Sequence, residues 1–168
     1  MPKLLAEIVE LMESHPNDKG VIHAHSYKIA GYIAKNIPKQ YQHRIITHYS
    51  SDGREIALDQ HIRSMQPTVL LTPSMTEGID LADDLSRWQV ICKIPYPYLG
   101  DPQVARRKDI DAAWYDWKTC LTVVQAYGRS IRSSNDYAVT YVLDADFSTF
   151  VTRQQKRLPQ WFLEAIKM

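Results

Sequence analysis

The apolar residues of this chain fall into two kinds of segment, which predict two kinds of secondary structure. Leu4, Leu5, Ile8, Val9 and Met12 recur at helical spacing and predict a first helix over residues 3–14. Short continuous apolar runs predict buried strands over residues 20–25, 44–49, 67–73, 89–95 and 137–144. Because helical spacing separates these strands, the chain is predicted to be an α/β domain with three αβα layers and a mostly parallel central sheet.

Capping residues and prolines locate the helices between the strands. Ser26 is predicted to cap a helix through YKIAGYIAKNI that ends before Pro38. Further helices are predicted within SSDGREIALDQHIRSM, from about Lys108 to Gln125, and after Pro159. In open parallel sheets ligands bind beyond the carboxyl ends of the strands, so site residues are expected in the segments that follow the strands.

The composition excludes few functions, but it bears on the number of domains and on the cellular compartment. At 168 residues the chain has the length of one domain, predicted to span residues 1–168. Its 20 Lys and Arg residues balance 19 Asp and Glu residues, so the net charge of +1 neither supports nor excludes nucleic-acid binding. Cys92 and Cys120 lie in separate apolar runs and are interpreted as reduced core residues, which cannot by themselves form a four-cysteine zinc or iron–sulfur site. No apolar run approaches the roughly 20 residues of a membrane span, and the economical interpretation is a cytoplasmic protein without a membrane partner.

The segment TPSMTEGID (72–80) begins where a predicted buried strand ends. Its Ser, Thr and Gly residues would let backbone amides approach a phosphate, and Glu77 and Asp80 could orient a hydroxyl, a metal-bound water or an arginine. A simple capping loop at the start of a helix has the same composition. Taken alone, the segment leaves both interpretations open.

The segment QAYGRSIRSSNDY (125–137) places Arg129 and Arg132 three positions apart. Side chains at this spacing on a helical turn share a face, so both guanidinium groups could reach one polyphosphate. Gly128 would permit a close approach to a neighbouring chain segment, and the Gln125 amide lies within one turn. The alternative is a solvated basic face whose arginines pair with acids such as Asp136.

The segment IPYPYLGDPQVARRKD (94–109) combines three prolines and two tyrosines with the basic residues Arg106 and Arg107. A stiff loop with aromatic side chains beside a basic cluster could stack bases and hold a nucleic-acid backbone. A rigid connector followed by the start of a helix is the alternative interpretation.

Metal-binding and phosphate-binding motifs are missing from the sequence. His23 and His25 alternate on a predicted strand and are expected to point to opposite faces, so no metal site is predicted. The sequence contains no G-x-x-x-x-G-K-[ST] loop. The chain is therefore not expected to hold ATP and magnesium in the usual way by itself.

Taken in order, these segments resemble the second RecA-like motor domain of superfamily 2 helicases, and specifically its DinG/XPD-like branch. GVIHAHSYKIA resembles motif IV, and VLLTPSMTEGIDLADD resembles motif V with its core at Glu77, Gly78 and Asp80. ICKIPYPYLGDPQVARRK is similar to the family's proline-rich segment, and QAYGRSIRSSNDY matches motif VI, Q-x-x-G-R-x-x-R-x-x-x-D. The resemblance extends from about residue 20 to residue 146 and implies a RecA-like fold.

The resemblance implies that the chain carries half of an ATPase site. ATP and Mg²⁺ would be shared with a first RecA-like lobe on the same or a separate polypeptide, which supplies the phosphate loop. Arg129 and Arg132 would then act as arginine fingers on the γ-phosphate, while Gln125 would help to position the nucleotide. The residues implied in coupling the nucleotide to the nucleic acid are Glu77, Gly78, Asp80 and Gly128.

The resemblance also implies contacts with single-stranded DNA. The residues expected to make them are Ser26, Tyr27, Thr72, Ser74, Arg106 and Arg107. The isolated chain is expected to lack ATPase activity and to bind no iron–sulfur cluster. A non-enzymatic RecA-like module that binds single-stranded nucleic acid or a partner helicase is the alternative, against which the retained arginine pair argues.

Overall fold

The computed structural model describes residues 1–50, 52–73, 81, 83–128 and 137–167, and within them five strands form one sheet. The strands are β1 (Gly20–His23), β2 (Ile45–Thr47), β3 (Val69–Thr72), β4 (Trp88–Ile91) and β5 (Val139–Val142). Their spatial order is β2-β3-β1-β4-β5, and every neighbouring pair is parallel. The predicted α/β architecture with a mostly parallel sheet is therefore confirmed.

Eight α-helices connect or follow these strands in the described part of the chain. They are α1 (Pro2–Ser14), α2 (Tyr27–Asn36), α3 (Lys39–Gln42), α4 (Asp52–Arg63), α5 (Pro102–Ile110), α6 (Ala112–Tyr127), α7 (Phe147–Gln154) and α8 (Gln160–Ala165). The sequence did not predict the short α3 or α7. The other helices lie where helical spacing placed them, apart from the boundary between α5 and α6.

The predicted long helix starting near Lys108 is wrong, because two helices occupy this region and the chain breaks between them at Asp111. The Asp111 backbone is extended, with φ −141° and ψ 85°, and its carboxylate accepts a hydrogen bond from Trp114 N at 3.0 Å. An aspartate in this role satisfies a free amide at the start of a helix. Asp101 caps α5 in the same way by accepting from Gln103 N at 2.8 Å.

Helices cover both faces of the sheet. On one face Ile22, Leu71 and Val90 pack against α1 and α2, and on the other Val21 and Leu70 pack against α4. The three central strands β1, β3 and β4 are buried along their whole length, which explains why they appear as continuous apolar runs in the sequence. The helices of the described chain include none long and apolar enough to cross a membrane.

A buried arginine joins α1 to the sheet. Arg44 is 5% exposed and donates hydrogen bonds to four backbone carbonyls from two separate segments. The acceptors are Met12 O at 3.0 Å, His15 O at 2.9 Å, Asp18 O at 3.0 Å and Pro67 O at 2.7 Å. The end of α1 and the approach to β3 are therefore held by one side chain.

Candidate functional site

The carboxyl edge of the sheet brings two of the predicted motifs together. Ala24 N, just after β1, donates to Thr72 O at the end of β3 over 2.9 Å. Ser26 then caps α2 as predicted, with its hydroxyl accepting from Ile29 N at 3.4 Å. The amino terminus of a ten-residue helix therefore opens beside the end of the neighbouring strand, at the edge where ligands of parallel sheets bind.

Thr72 faces the interior of this edge. Its side chain is buried, with 1% of the residue exposed, and its hydroxyl lies 3.2 Å from His48 Nε2. His48 Nδ1 lies 3.0 Å from Ser50 O, which can only accept, so Nδ1 carries the proton and the Thr72 hydroxyl donates to Nε2. Thr72 thus fixes the point at which the chain leaves β3, and its contact with a single-strand phosphate stays a sequence-based prediction.

His23 and His25 lie side by side rather than on opposite faces, so this sequence prediction is wrong. β1 ends at His23, and His25 has left the extended conformation with a φ of 48°. The two rings are therefore stacked, with centroids 6.0 Å apart and planes at 20°. Alternation holds only while a strand continues, and here it stops two residues too early.

His25 is held in a dry environment at the start of motif IV. Burial lowers its pKa to about 4, and the nearby His23 and Lys93 add to the effect. The described residues offer no hydrogen-bond partner to its buried Nε2. They also contain no group of three or more His, Cys, Asp or Glu residues that could hold a metal ion.

Exposed tyrosines follow three of the strands at the carboxyl edge. Tyr27 begins α2 after β1, Tyr98 lies in the loop after β4, and each is more than half exposed. Tyr49, two residues after β2, is equally exposed. Sequence reasoning missed Tyr49 because the predicted strand over residues 44–49 included it, whereas β2 ends at Thr47.

The proline-rich loop is anchored to α6 by its first tyrosine. The Tyr96 and Tyr115 rings stack with centroids 6.2 Å apart and planes at 9°, and the Tyr115 hydroxyl donates to Pro97 O at 3.0 Å. Tyr98 is largely exposed, and Tyr96 is itself 42% exposed. The loop is thus held against α6 as the rigid-connector interpretation predicts, whereas base stacking by its tyrosines stays a prediction.

The basic pair on α5 is solvent-accessible, but one member already has a partner. Arg106 and Arg107 are both exposed. The Arg107 guanidinium lies 4.2 Å from the centroid of the Trp114 ring, in cation–π geometry. Phosphate binding by either arginine stays a sequence-based prediction.

The start of motif VI lies at the end of α6. Gly128 N closes the helix by donating to Val124 O at 3.1 Å, and a Cβ added at Gly128 would meet only helix carbonyls, the nearest at 3.6 Å. The close approach predicted for Gly128 is thus not seen against the described residues. Gln125 Oε1 is buried and has no hydrogen-bond partner among them. This oxygen can accept a hydrogen bond from a group outside the described residues.

Six predicted site residues lie outside the described residues. They are Ser74, Glu77, Gly78, Asp80, Arg129 and Arg132. Their roles remain the sequence-based proposals given above.

Comparison of the sequence with known proteins identifies a matching family and several similar proteins. The family model for the helicase C-terminal domain matches residues 8–165. The ATP-dependent DNA helicase CHL1 of Candida albicans is 35% identical over 113 residues, which cover 56% of this chain and 13% of the relative. The regulator of telomere elongation helicase 1 homolog of Drosophila grimshawi is 32% identical over 100 residues, covering 52% of this chain and 10% of the relative. The chain thus spans a small part of the length of these relatives.

Solved structures show the same fold. Xpd4 of S. tokodaii superposes with a TM-score of 0.64 over 95% of this chain and 33% of that protein, at 17% identity. The C-terminal domain of S. cerevisiae Dbp5, solved with Gle1 and IP6, gives a TM-score of 0.61 over 99% of this chain and 82% of that domain, also at 17% identity. At such identities the likeness concerns the fold, and the predicted RecA-like class is confirmed.

Proposed function

Since the chain belongs to the family of helicase C-terminal domains, we propose that it works as the second motor domain of an ATP-dependent DNA helicase. Its relatives place it in the DinG/XPD-like branch, as the sequence predicted. In this role it supplies arginines to an ATP molecule held by a first RecA-like domain and grips single-stranded DNA. The isolated chain hydrolyses no ATP.

The observation that carries the proposal is the junction of motifs IV and V at the carboxyl edge. The Ala24–Thr72 hydrogen bond fixes the exit of β3 beside the Ser26-capped start of α2, although the two segments are far apart in sequence. Free amides and the helix dipole at such a start favour a phosphate group. Exposed rings of Tyr27 and Tyr98 beside this edge are suited to stack on unpaired bases.

The chemistry of the described residues fits one part of a nucleotide site. Gln125 Oε1, which has no hydrogen-bond partner among the described residues, is an acceptor for a water molecule or a guanidinium group, and Gln125 precedes Arg129 by four residues in the sequence. Arg129 and Arg132 supply positive charge to the γ-phosphate when the two motor domains close. Mg²⁺ would accompany the ATP held by the first domain, where it would supply positive charge to the phosphates.

ATP hydrolysis by the complete motor tests the arginine assignment. The chain would be combined with its first RecA-like domain, and ATPase rates measured with and without single-stranded DNA. We expect Arg129→Ala and Arg132→Ala each to lower kcat by roughly 10³-fold or more, because an arginine finger stabilises charge in the transition state.

Arg63→Ala is the matched control for this experiment. Arg63 lies on α4, is largely exposed and pairs with Asp59 at 2.7 Å, so its loss should leave the rate unchanged. An unchanged rate in both Arg129→Ala and Arg132→Ala would disprove the finger role. Hydrolysis that never appears, even in the unmodified complex, would favour a non-enzymatic binding module.

Binding of a fluorescent oligothymidylate tests the grip on DNA. We expect the isolated chain to bind weakly, and more weakly at about 200 mM than at about 20 mM salt, because phosphate contacts release counterions. Tyr27→Ala should weaken binding about fivefold or more through loss of base stacking. Tyr137→Ala is the control, since that exposed ring lies before β5, at the opposite edge of the sheet. Equal effects of the two substitutions, or no binding at low salt, would contradict the proposed binding of single-stranded DNA at the carboxyl edge.

A further inference from the structure

A buried glutamine interrupts the apolar centre of β4. Gln89 is 0% exposed and lies in register with Val21 of β1 on one side and Thr140 of β5 on the other. An amide at such a position costs free energy unless its hydrogen bonds are satisfied. The hydrogen bonds of the Gln89 amide therefore explain how the sheet accommodates a polar side chain at this position.

The Gln89 amide makes three hydrogen bonds to three different elements. Its Nε2 donates to the Tyr127 carbonyl at the end of α6 and to the Thr140 hydroxyl, both at 2.8 Å. These bonds use both amide hydrogens, so Oε1 is the acceptor that faces His23 Nε2 at 3.3 Å. His23 must carry its proton on Nε2 to complete this contact.

The amide thereby joins the two parts of the proposed site. On one side His23 stacks on His25, which precedes the Ser26 cap of α2. On the other side Tyr127 is followed by Gly128 and then by the arginines of motif VI. A helix cap alone would not explain the contact with His23, because the Tyr127 carbonyl is satisfied by Nε2 without it.

We propose that Gln89 is a positioning residue that transmits occupancy of the carboxyl edge by DNA to the end of α6, which Arg129 and Arg132 follow in the sequence. This inference rests on the proposed function and names the route by which its two halves communicate. When a phosphate settles at the start of α2, a displacement of the stacked histidines alters the His23–Gln89 contact. The planar amide then carries the change to the Tyr127 carbonyl, since its oxygen and nitrogen move as one rigid group.

Nuclear magnetic resonance of the ¹⁵N-labelled chain titrated with oligothymidylate tests the route without ATP. In the unmodified chain we expect amide shift changes near Ser26 and also at Tyr127 and Gly128. Gln89→Met keeps the volume and removes all three hydrogen bonds. In this variant the changes near Ser26 should persist, while those at Tyr127 and Gly128 should shrink at least threefold.

Gln154→Met is the matched control, because Gln154 is equally buried but bonds to Arg157 within the α7 region. It should transmit as the unmodified chain does. Equal transmission in Gln89→Met, or no change at Tyr127 and Gly128 in the unmodified chain, would overturn the inference and leave the DNA grip standing. Absence of any oligonucleotide-induced change would instead overturn the DNA grip and the inference with it.

A second measurement covers the case in which Gln89→Met does not fold. In the unmodified chain the Gln89 side-chain amide hydrogens should exchange slowly with solvent, and the His23 nitrogen shifts should report the Nε2–H tautomer. Fast exchange or the opposite tautomer would break the route at its centre and overturn the inference.

Discussion

His61 is a buried histidine whose surroundings keep it uncharged. The residue is 0% exposed, its Nε2 donates to Leu85 O at 2.9 Å, and its Nδ1 accepts from the Thr68 hydroxyl at 2.9 Å. Burial lowers its pKa to about 4, and nearby Lys19 acts in the same direction. Both nitrogens are thus matched to the neutral ring.

This shift makes the stability of the domain dependent on pH. Between about pH 6.5 and 4 the His61 ring is protonated in the unfolded chain but neutral in the folded domain. The contribution of His61 to the free energy of unfolding is therefore complete above this window and is lost as the pH falls through it. The loss at the bottom of the window is roughly 3 kcal/mol. His25, whose pKa is also lowered to about 4, changes stability with the same sign.

Urea unfolding at a series of pH values measures the effect. We expect His61→Gln to flatten the dependence of the free energy of unfolding on pH, leaving the share of His25. His43→Gln, at an exposed position, is the control and should keep the slope of the unmodified chain. An equally steep slope in His61→Gln would show that His61 is not the titrating group.

At the scale of elements, the sequence predicted the strands better than it predicted where elements stop. Four of the five strands lie inside their predicted apolar runs, and β4 begins at Trp88, one residue before its run. In β1, β3 and β4 the continuous apolar residues reflect burial on both faces. The runs were longer than the strands, and the excess after β1 caused the error at His23 and His25. The pattern of apolar residues does not predict the positive φ of His25.

Helix boundaries depended on capping residues that the pattern did not distinguish from ordinary polar ones. Ser26 was recognised because a strand stands directly before it, whereas Asp111 sits among the charged residues of α5 and α6 and was overlooked.

The candidate site, like the helix boundaries, was predictable only in part from the sequence. Motif residues were found from their spacing, but the Gln89 contacts were not, because they join β1, β4 and α6 across the fold.

At the scale of the whole molecule, Arg44 holds together segments that are distant in sequence. Its carbonyl acceptors belong to α1, to the stretch before β1 and to the stretch before β3. Arg44→Met keeps an unbranched apolar side chain but leaves these carbonyls without their donor. We expect it to lower the free energy of unfolding by roughly 3–5 kcal/mol.

Urea unfolding of Arg44→Met beside Arg63→Met checks this expectation. The Arg63 side chain is 79% exposed, and its removal should change stability by no more than about 0.5 kcal/mol. Similar stabilities for the two variants would mean that solvent replaces the Arg44 donors without cost.

Helix α1 carries none of the predicted motifs, yet Ile8 and Met12 on it are fully buried in the core over Ile22 and Val90. A domain that began at Gly20 would keep every motif but expose this core, and Arg44 would lose its Met12, His15 and Asp18 acceptors. Inherited changes in α1 should therefore act through the amount of protein that survives cellular quality control. Such changes would resemble motor defects in a cell while leaving the specific activity of each surviving molecule intact.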